Sequence, residues 1–403
     1  MNDWQELDKK LFMNTGHRRL GITLVRGEGV KVWDDNGKEY LDFIAGWAVN
    51  NLGHCHPVVV EAIRAQAGKL MQVSMDVYNI PQIQLAQLLL EITGFNKVFF
   101  ANSGTEANEG AVKLARKYGK LYRQGAYEVI SALNSFHGRT LAMVAATGKP
   151  VYQAPYTPLP AGFINVPYNS LEAIQKATTE KTIAVLLEPI QGEGGVNIPD
   201  EDYLKKVRAW CDEKGLLLIL DEVQTGFGRT GSLFAYQQFG VVPDIMTIGK
   251  GLGGGVPISA MLVKEKAAVF ETGDHGHTFS GNPLMSAAAY ASFRYILMND
   301  VPGNARRMGG YFMSQLKELQ KKHSVITEVR GRGLLIAMEF KTDISAELTK
   351  ECVTEGLLIN NMKPNTVRFM PPLIITTEEI DRAIDILNRV LGRVTGRLLV
   401  TTS

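Results

Sequence analysis

The chain has 403 residues, of which 45% are apolar and 21% are charged, and its 43 basic and 41 acidic side chains leave a net charge of +2. This balance is typical of a globular protein with about two or three domains. It provides no general electrostatic field that would attract nucleic acid or an anionic membrane. We therefore expect small-molecule partners, with no nucleic acid and no membrane.

Three widely spaced cysteines, Cys55, Cys211 and Cys352, indicate no disulfide framework and fit a reducing compartment. The first twenty residues lack the charged start and the apolar stretch of a secretion signal. No apolar run is long enough to cross a bilayer. These features predict a cytoplasmic protein.

Strand and helix patterns alternate through the first two thirds of the chain. A hairpin is predicted from Gly27 to Phe43, where apolar residues flank the turn Asp34-Asp35-Asn36-Gly37. Short apolar strands are predicted after it at 97–100, 128–132, 183–187, 216–220 and 245–248. Helical patterns lie between several of them, at 82–92, 105–118, 171–177 and 203–211. This order predicts an α/β protein with a mostly parallel sheet that helices cover on both faces.

The pattern changes after about Ser280 to a compact mixed α+β unit. Helices are predicted at 284–297, 305–322 and 378–391, and short strands at 325–330, 334–340 and 367–369. We place the domain change near residues 285–300. The predicted division is an N-terminal segment at 1–45 that belongs to the small domain, a large domain at 46–290 and a small C-terminal domain at 291–403.

Chemically useful residues follow five successive strands of the predicted sheet. The segment Asn102 to Thr105 follows the first strand, and Phe136-His137-Gly138-Arg139 comes shortly after the second. Glu188, Asp221 and Lys250 follow the third, fourth and fifth. Ligands of open α/β sheets bind at the carboxyl ends of the strands. The five segments therefore predict one binding site.

The first of these segments, Asn102-Ser103-Gly104-Thr105-Glu106, ends a strand and opens a helix. Backbone N–H groups at a helix N-terminus suit a phosphate, Gly104 allows a close approach, and Ser103 and Thr105 add hydroxyl donors. The same residues match a capping box, with Ser103 as N-cap and Glu106 three residues later. Taken alone the segment favours the cap, and only its neighbours favour a phosphate site.

Lys250 lies between an apolar strand and the glycine-rich segment Gly251 to Gly255. A lysine that carries pyridoxal phosphate (PLP) must be able to lose its proton, which burial and nearby cations favour. Asp221 ends a buried strand, where a carboxylate needs a partner, and the alternatives are a pyridinium nitrogen, a helix cap or an ion pair. A phosphate-binding loop has its glycines before the lysine, which is the reverse of the order here.

Two arginines and two histidine pairs complete the candidates. Arg139 lies in a loop after a strand and Arg368 in an apolar strand, and a guanidinium binds a carboxylate through two parallel hydrogen bonds. Most arginines are simply solvated, so each is a candidate only. The segments His54-Cys55-His56 and His275-Gly276-His277 lack a second ligand pair at metal-binding spacing, and we predict no metal site.

The chain resembles the fold-type-I, class III aminotransferases, and within them the N-acetylornithine aminotransferases, over nearly its whole length. The segments that carry the resemblance are 33–43, 52–57, 102–108, 136–139, 188–193, 221–224, 249–255 and 281–283. The resemblance implies a PLP-dependent transfer of the terminal amine of N-acetylornithine to 2-oxoglutarate. The products would be N-acetylglutamate 5-semialdehyde and glutamate, as in arginine biosynthesis.

The resemblance also implies a role for each cofactor-binding residue. Lys250 would carry PLP and shuttle the proton between the substrate and the cofactor, and Asp221 would pair with the pyridine nitrogen. Thr278 would reach the phosphate held by the other subunit, so a homodimer with shared active sites is implied. The remaining cofactor-binding residues would be Ser103, Gly104, Thr105, Phe136, Val223 and Gln224.

Four residues would bind or select the substrate. By resemblance, Arg139 would bind the α-carboxylate of an ornithine-like donor, and Arg368 a carboxylate of glutamate or 2-oxoglutarate. Glu193 would mask Arg368 for the first donor and release it for the diacid. A buried, unpaired arginine is costly, and a movable carboxylate would keep it satisfied. His277 would line the substrate entrance.

The chain departs from the family pattern at positions that are expected near the substrate entrance. These are Gly16, Met75, Asp76, His277 and Ser280. They leave open another ω-amine on the same scaffold, namely free ornithine, 4-aminobutyrate or N-acetyllysine.

Two more distant alternatives differ in reaction or in class. A PLP aminomutase would not need a second keto acid, and the presence of both Arg139 and Arg368 favours two carboxylated substrates instead. A nucleotide-binding or scaffold protein that has lost catalysis would be expected to lack Lys250 or Asp221, and both are present.

Overall fold

A computed structural model describes residues 4–15 and 20–401. The helices are α1 (Trp4–Leu11), α2 (Ala45–Ala48), α3 (Pro57–Ala67), α4 (Ile80–Thr93), α5 (Gly104–Tyr122), α6 (Leu141–Ala146), α7 (Pro150–Gln153), α8 (Leu171–Ala177), α9 (Tyr203–Lys214), α10 (Pro283–Met298), α11 (Val301–Lys322), α12 (Ser345–Thr354) and α13 (Thr377–Thr401). The strands are β1 (Leu24–Glu28), β2 (Lys31–Asp34), β3 (Glu39–Asp42), β4 (Lys97–Ala101), β5 (Glu128–Ala132), β6 (Phe163–Val166), β7 (Thr182–Leu187), β8 (Leu217–Asp221), β9 (Ile245–Ile248), β10 (Ser259–Val263), β11 (Ile326–Arg332), β12 (Leu335–Phe340), β13 (Leu357–Leu358), β14 (Asn360–Lys363) and β15 (Thr366–Phe369).

The central sheet has seven strands in the order β4-β10-β9-β8-β7-β5-β6. Its inner strands β7, β8 and β9 are buried at every residue, which explains their nearly continuous apolar sequences. Neighbouring strands are parallel except for β10, which runs antiparallel to both β4 and β9. The predicted α/β class with a mostly parallel sheet is confirmed, and β6 and β10 are the two strands of this sheet that the prediction missed.

Two smaller sheets flank this core in the described chain. The predicted hairpin is present as β2 and β3, which pair antiparallel, and β1 adds a strand before it. On its other side β3 pairs in parallel with β13, so residues 39–42 and 357–358 share a sheet. This pairing supports the proposal that the N-terminal segment belongs to the small domain, and the proposed boundaries at 45 and 290 stay a prediction.

The third sheet is antiparallel, in the order β11-β12-β15-β14. Helix α11 packs against β11, and α13 packs against α11 and α12. Arg368 is the third residue of β15 and is paired there with Ala337 of β12. The mixed α+β character predicted for the C-terminal part is thus present. None of the described helices is long and apolar enough to span a membrane.

Candidate active site

The predicted site residues lie at the carboxyl edge of the central sheet. Asp221 is the last residue of β8, and Lys250 follows β9 after a single glycine. Ser103 is the N-cap of α5, just after β4, and Glu188 follows β7 directly. The five strand ends that the sequence singled out therefore supply the walls of one site.

Asp221 is buried and its carboxylate orientation is fixed by three donors. Its Oδ2 accepts from Asn108 Nδ2 over 2.7 Å and from His137 Nδ1 over 2.8 Å, and its Oδ1 accepts from the Val223 amide over 3.0 Å. Thr247 in turn donates its hydroxyl to Asn108 Oδ1 over 2.7 Å. Sequence reasoning assigned no role to His137, Asn108 or Thr247. The sequence gives only a weak indication of their role, because each is a single polar residue in or near a strand or helix and no motif distinguishes it.

Lys250 is partly buried and lies beside the predicted phosphate site. Burial lowers the pKa of its ammonium, repulsion from Arg368 lowers it further, and the Glu193 carboxylate acts in the opposite direction. A methyl group built on Gly249 would lie 3.7 Å from the Gly104 nitrogen and 3.4 Å from Val223 Cγ1. The backbone that leads into Lys250 therefore runs along the first turn of α5.

The N-terminus of α5 forms the capping box that the sequence allowed. The Ser103 hydroxyl accepts from the Glu106 amide over 3.3 Å, and Glu106 Oε2 accepts from the amides of Asn102 and Ser103 over 2.6 and 3.1 Å. The cap does not exclude an anion, because the first N–H groups inside a helix have no intrahelical acceptor. Gly104 and Thr105 carry those N–H groups.

Two glycines allow the walls of this site to approach closely. A Cβ on Gly104 would lie 2.6 Å from Val223 Cγ1, and a Cβ on Gly138 would lie 2.5 Å from Thr105 Oγ1. Gly138 also has φ of +143°, which disfavours any other residue. The loop after β5, the start of α5 and the residue Val223 thus come together as one cradle.

Glu188 links the loop of Phe136 to the segment of Glu193. Its Oε2 accepts from the Phe136 amide over 3.1 Å, and its Oε1 accepts from the Gly192 amide over 3.2 Å. Burial raises the pKa of this carboxyl to about 7, although His137 and the two amides act to lower it. The sequence placed Glu188 at the site but assigned it no role.

Arg368 and Glu193 form an ion pair inside the site. Arg368 Nη2 lies 2.7 Å from Glu193 Oε1, and the arginine side chain is only 1% exposed. Arg368 also donates to Asn360 Oδ1 and to Gln224 Oε1. Desolvation would raise the pKa of Glu193, but Arg368, Lys250 and Lys149 lower it to about 2. Glu193, which is expected to mask Arg368 for one donor and to release it for the diacid, is therefore in direct contact with this arginine.

Arg139 is exposed and differs from Arg368 in its surroundings. Its guanidinium carbon lies 3.8 Å from the centroid of the Tyr152 ring and 5.3 Å from that of Phe136. No carboxylate in the described chain forms an ion pair with it. Two aromatic rings therefore orient this cation while its hydrogen-bond donors remain available for an anion.

His277, which is expected at the substrate entrance, and Thr278, which is expected to reach the phosphate of the other subunit, line an open cavity of about 590 Å³, together with Gln72, Ser74, Met75 and Gly276. The His277 ring lies 4.7 Å from His275 and 5.8 Å from Phe99. Within the described single chain, no hydrogen bond joins Thr278 to the start of α5, so its role across a subunit boundary stays a prediction. Gly16, the first departure from the family pattern, lies outside the described residues.

The sequence model of the family described as aminotransferase class-III matches residues 12–391. The chain belongs to this family. An acetylornithine aminotransferase from Caldanaerobacter subterraneus subsp. tengcongensis is 51% identical, and the match covers 96% of this chain and 98% of the relative.

Solved structures of related enzymes share the fold of this aminotransferase. An ornithine aminotransferase from Toxoplasma gondii ME49 superposes with a TM-score of 0.95 at 34% identity, covering 98% of this chain and 96% of that one. An acetylornithine aminotransferase from Elizabethkingia anophelis superposes with a TM-score of 0.87 at 36% identity, covering 97% and 98%.

Pyridoxal phosphate is the cofactor of this aminotransferase family, and the residues of the site fit it. Gly104 and Thr105 carry N–H groups that have no intrahelical acceptor, as a phosphate requires, and they lie in the cradle formed by the close approaches at Gly104 and Gly138. Asp221 presents a fixed carboxylate, as a pyridine nitrogen requires, and the lowered pKa of Lys250 favours a nucleophilic amine. The individual roles of these residues remain proposals.

Proposed function

We propose that this aminotransferase moves the terminal amino group of N-acetylornithine to 2-oxoglutarate, giving N-acetylglutamate 5-semialdehyde and glutamate. The observation that carries the proposal is the contact between Glu193 and the buried Arg368, together with the exposed Arg139, which has no carboxylate partner among the described residues. A site with one exposed and one masked arginine suits two carboxylated substrates of different length. The name of the 51% identical relative supports the choice of the acetylated donor.

PLP, when bound, supplies an electron sink for the carbon that carries the amino group. Lys250 Nζ would take the proton from that carbon and later return it, because burial lowers the pKa of the amine and leaves it able to accept a proton. His137 and Asn108 would hold Asp221 Oδ2 in place against the ring nitrogen. Phe136 would stack on the ring, with its backbone fixed by Glu188.

The use of Arg368 would alternate between the two half-reactions. With N-acetylornithine bound, Arg139 would hold the α-carboxylate while Glu193 stays on Arg368. With glutamate or 2-oxoglutarate bound, the Glu193 side chain would move away, and Arg368 would bind the second carboxylate of the diacid. Asn360 and Gln224 accept hydrogen bonds from Arg368 in this structure and, by keeping them while Glu193 moves, would limit the cost of the exchange.

We further propose that the working unit is a cytoplasmic homodimer. Large apolar side chains are exposed beside the cavity of Thr278, where a second copy would cover them. They are Met71, Met75, Val77, Tyr78 and Phe279, and Tyr78 is 97% exposed. A partner seated there would bring Thr278 to the neighbouring phosphate site. The three free cysteines support a reducing compartment.

The proposal is tested by half-reactions that are followed by absorbance. The enzyme loaded with PLP is mixed, without keto acid, with N-acetylornithine, ornithine, 4-aminobutyrate or glutamate, and the loss of the cofactor band is timed. Fast loss with N-acetylornithine and glutamate and slow loss with the others is the expected result. A preference for an unacylated amine would overturn the proposed donor and would leave the transamination chemistry intact.

A further inference from the structure

The backbone around Glu193 is held by two cations that are not part of the expected exchange. Lys149 Nζ donates to the Glu193 carbonyl over 2.8 Å. Arg330 Nε donates to the Gly195 carbonyl over 2.9 Å, while ion pairs with Glu328 and Glu339 hold the arginine itself. The segment from Glu193 to Gly195 is therefore anchored at both ends through its carbonyl oxygens.

Lys149 is placed between the two arginine sites. It is the N-cap of α7, and its Nζ lies 5.3 Å from the centroid of the Tyr152 ring on which Arg139 also packs. Burial lowers the pKa of Lys149, Glu193 acts in the opposite direction, and repulsion from Arg368 lowers the pKa as well. A half-buried ammonium in such a position needs a strong acceptor, and the Glu193 carbonyl supplies it.

We propose that Lys149 is a positioning residue that fixes the backbone of Glu193, so that the exchange at Arg368 involves only the glutamate side chain. This inference rests on the proposed use of Glu193 as a movable partner of Arg368. Gly194 and Gly195 follow Glu193 directly, and Gly195 has φ of +136°, so the segment has little intrinsic stiffness. An external anchor is therefore needed if Glu193 is to return to the same place after each diacid leaves.

Loss of the anchor should affect the two donors unequally. N-acetylornithine requires Glu193 to remain on Arg368, and a loosened segment lowers the fraction of enzyme in that state. Glutamate requires Glu193 to leave, and loosening does not oppose that movement. A residue that served only the folding of the chain would impair both donors alike.

The test compares Lys149→Met with a matched control, Lys363→Met, in the holoenzyme. Lys363 is a second cation at this segment, with its Nζ 2.9 Å from a Cβ built on Gly195, but no hydrogen bond joins it to the described carbonyls of Glu193 or Gly195. For Lys149→Met we expect the rate of the N-acetylornithine half-reaction to fall about tenfold, as befits one hydrogen bond to a charged group, and that of glutamate less than about twofold.

A second readout does not depend on turnover. Glutarate, a dicarboxylate, is expected to bind through both carboxylates only where Arg368 is uncovered, and pentanoate, which has one carboxylate, is expected to report general anion binding. The affinities for glutarate and pentanoate are measured by titration calorimetry on the holoenzyme. Lys149→Met should raise the ratio of the glutarate affinity to the pentanoate affinity by about threefold or more, and Lys363→Met should leave this ratio unchanged. Lys149→Arg, which keeps the charge and the donor, should restore both readouts.

The results separate the anchor from the proposed function. Wild-type enzyme that transfers from neither N-acetylornithine nor glutamate would refute the proposed donor pair, and the glutarate ratio would still test Lys149. Equal loss with both donors, no loss, or the same selective loss in Lys363→Met would overturn the anchor. If Lys149→Met does not fold, the same measurements are made on Lys149→Gln, which keeps a neutral N–H donor. We expect changes in the same direction that are smaller than those predicted for Lys149→Met.

Discussion

Arg368 Nη2 and Glu193 Oε1 are 2.7 Å apart, in a position where the arginine is almost completely buried. A buried guanidinium without a partner would be strongly destabilising, and breaking such a pair by removal of one member costs about 3–5 kcal/mol. The glutamate is less buried, at 28% exposed, and lies on a glycine-containing segment. The pair therefore has one fixed member and one member that is able to leave.

Replacement of Glu193 by alanine should separate the two half-reactions. Without the carboxylate, Arg368 has no mask in the N-acetylornithine complex. The glutamate complex is affected less, because it requires Arg368 to be unmasked in the wild type as well. We expect the N-acetylornithine rate to fall by about tenfold or more and the glutamate rate to change much less. Single-turnover absorbance measures both, and equal losses would refute the masking role.

Replacement of His137 by phenylalanine should lower kcat with little change in the KM for N-acetylornithine. His137 contacts Asp221 rather than the expected substrate position, and the loss of one hydrogen bond to a carboxylate corresponds to roughly tenfold to a hundredfold. His54→Phe is the matched control, because His54 forms a similar 2.7 Å pair with Asp42 at the end of β3. A comparable fall in kcat for the control would contradict the assignment.

Much of this architecture was predictable from local sequence. The strands Glu128–Ala132 and Ile245–Ile248 agree with the prediction residue for residue, because a short run of apolar residues between turn signals is typical of a buried strand. Strand Ser259–Val263 was missed. It lies between β4 and β9, and its pairing with β4 (Lys97–Ala101) joins residues that are more than a hundred positions apart in the chain.

The site was predictable to a similar depth. Asp221 and Lys250 stand out because a charged residue at the end of a buried apolar strand needs a partner, and ligands of such sheets bind at the strand ends. The contacts of His137 with Asp221 and of Lys149 with the Glu193 carbonyl depend on distances between segments, which composition and spacing do not contain. These supporting contacts are also the ones that the resemblance to a family did not supply.

The pH dependence of stability should reflect Glu188. Its pKa in the folded chain, about 7, lies above its ordinary value of 4.5, so the folded state holds the proton more tightly. The stabilisation is complete below about pH 4.5 and is lost as the pH rises through about 7. We expect the urea midpoint of Glu188→Gln to change less than that of the wild type between about pH 5 and about pH 8.

Other groups bear on that measurement. Glu222, which is also buried with a pKa raised to about 7, contributes in the same direction, so a reduced pH dependence should remain in Glu188→Gln. His137 and Asp221 are the charged or titratable neighbours that act on Glu188. An unchanged pH dependence in the variant would show that Glu188 does not titrate in this range.

Arg229 should be a major contributor to stability even though no carboxylate pairs with it in the described chain. Its buried guanidinium donates to the carbonyls of Leu334 and Pro371 and to Asn51 Oδ1, and burial lowers its pKa to about 9. Arg229→Met would leave three buried acceptors without donors. We expect a loss of about 3–5 kcal/mol in urea unfolding.

The control for this prediction is Arg382→Met. Arg382 is 51% exposed and pairs with Glu39, and exposed pairs of this kind are worth about 0–1 kcal/mol. A small effect for both variants would mean that other donors replace Arg229, and its proposed contribution to stability would be wrong.

The role of Lys250 is tested most directly by identifying the lysine that carries the cofactor. The protein is purified with PLP, reduced with sodium borohydride so that the link becomes permanent, digested and analysed by mass spectrometry. We expect a pyridoxyl-phosphate adduct on Lys250, and in Lys250→Ala we expect neither the adduct nor transamination. An adduct on a different lysine, or full activity in Lys250→Ala, would contradict the role of Lys250.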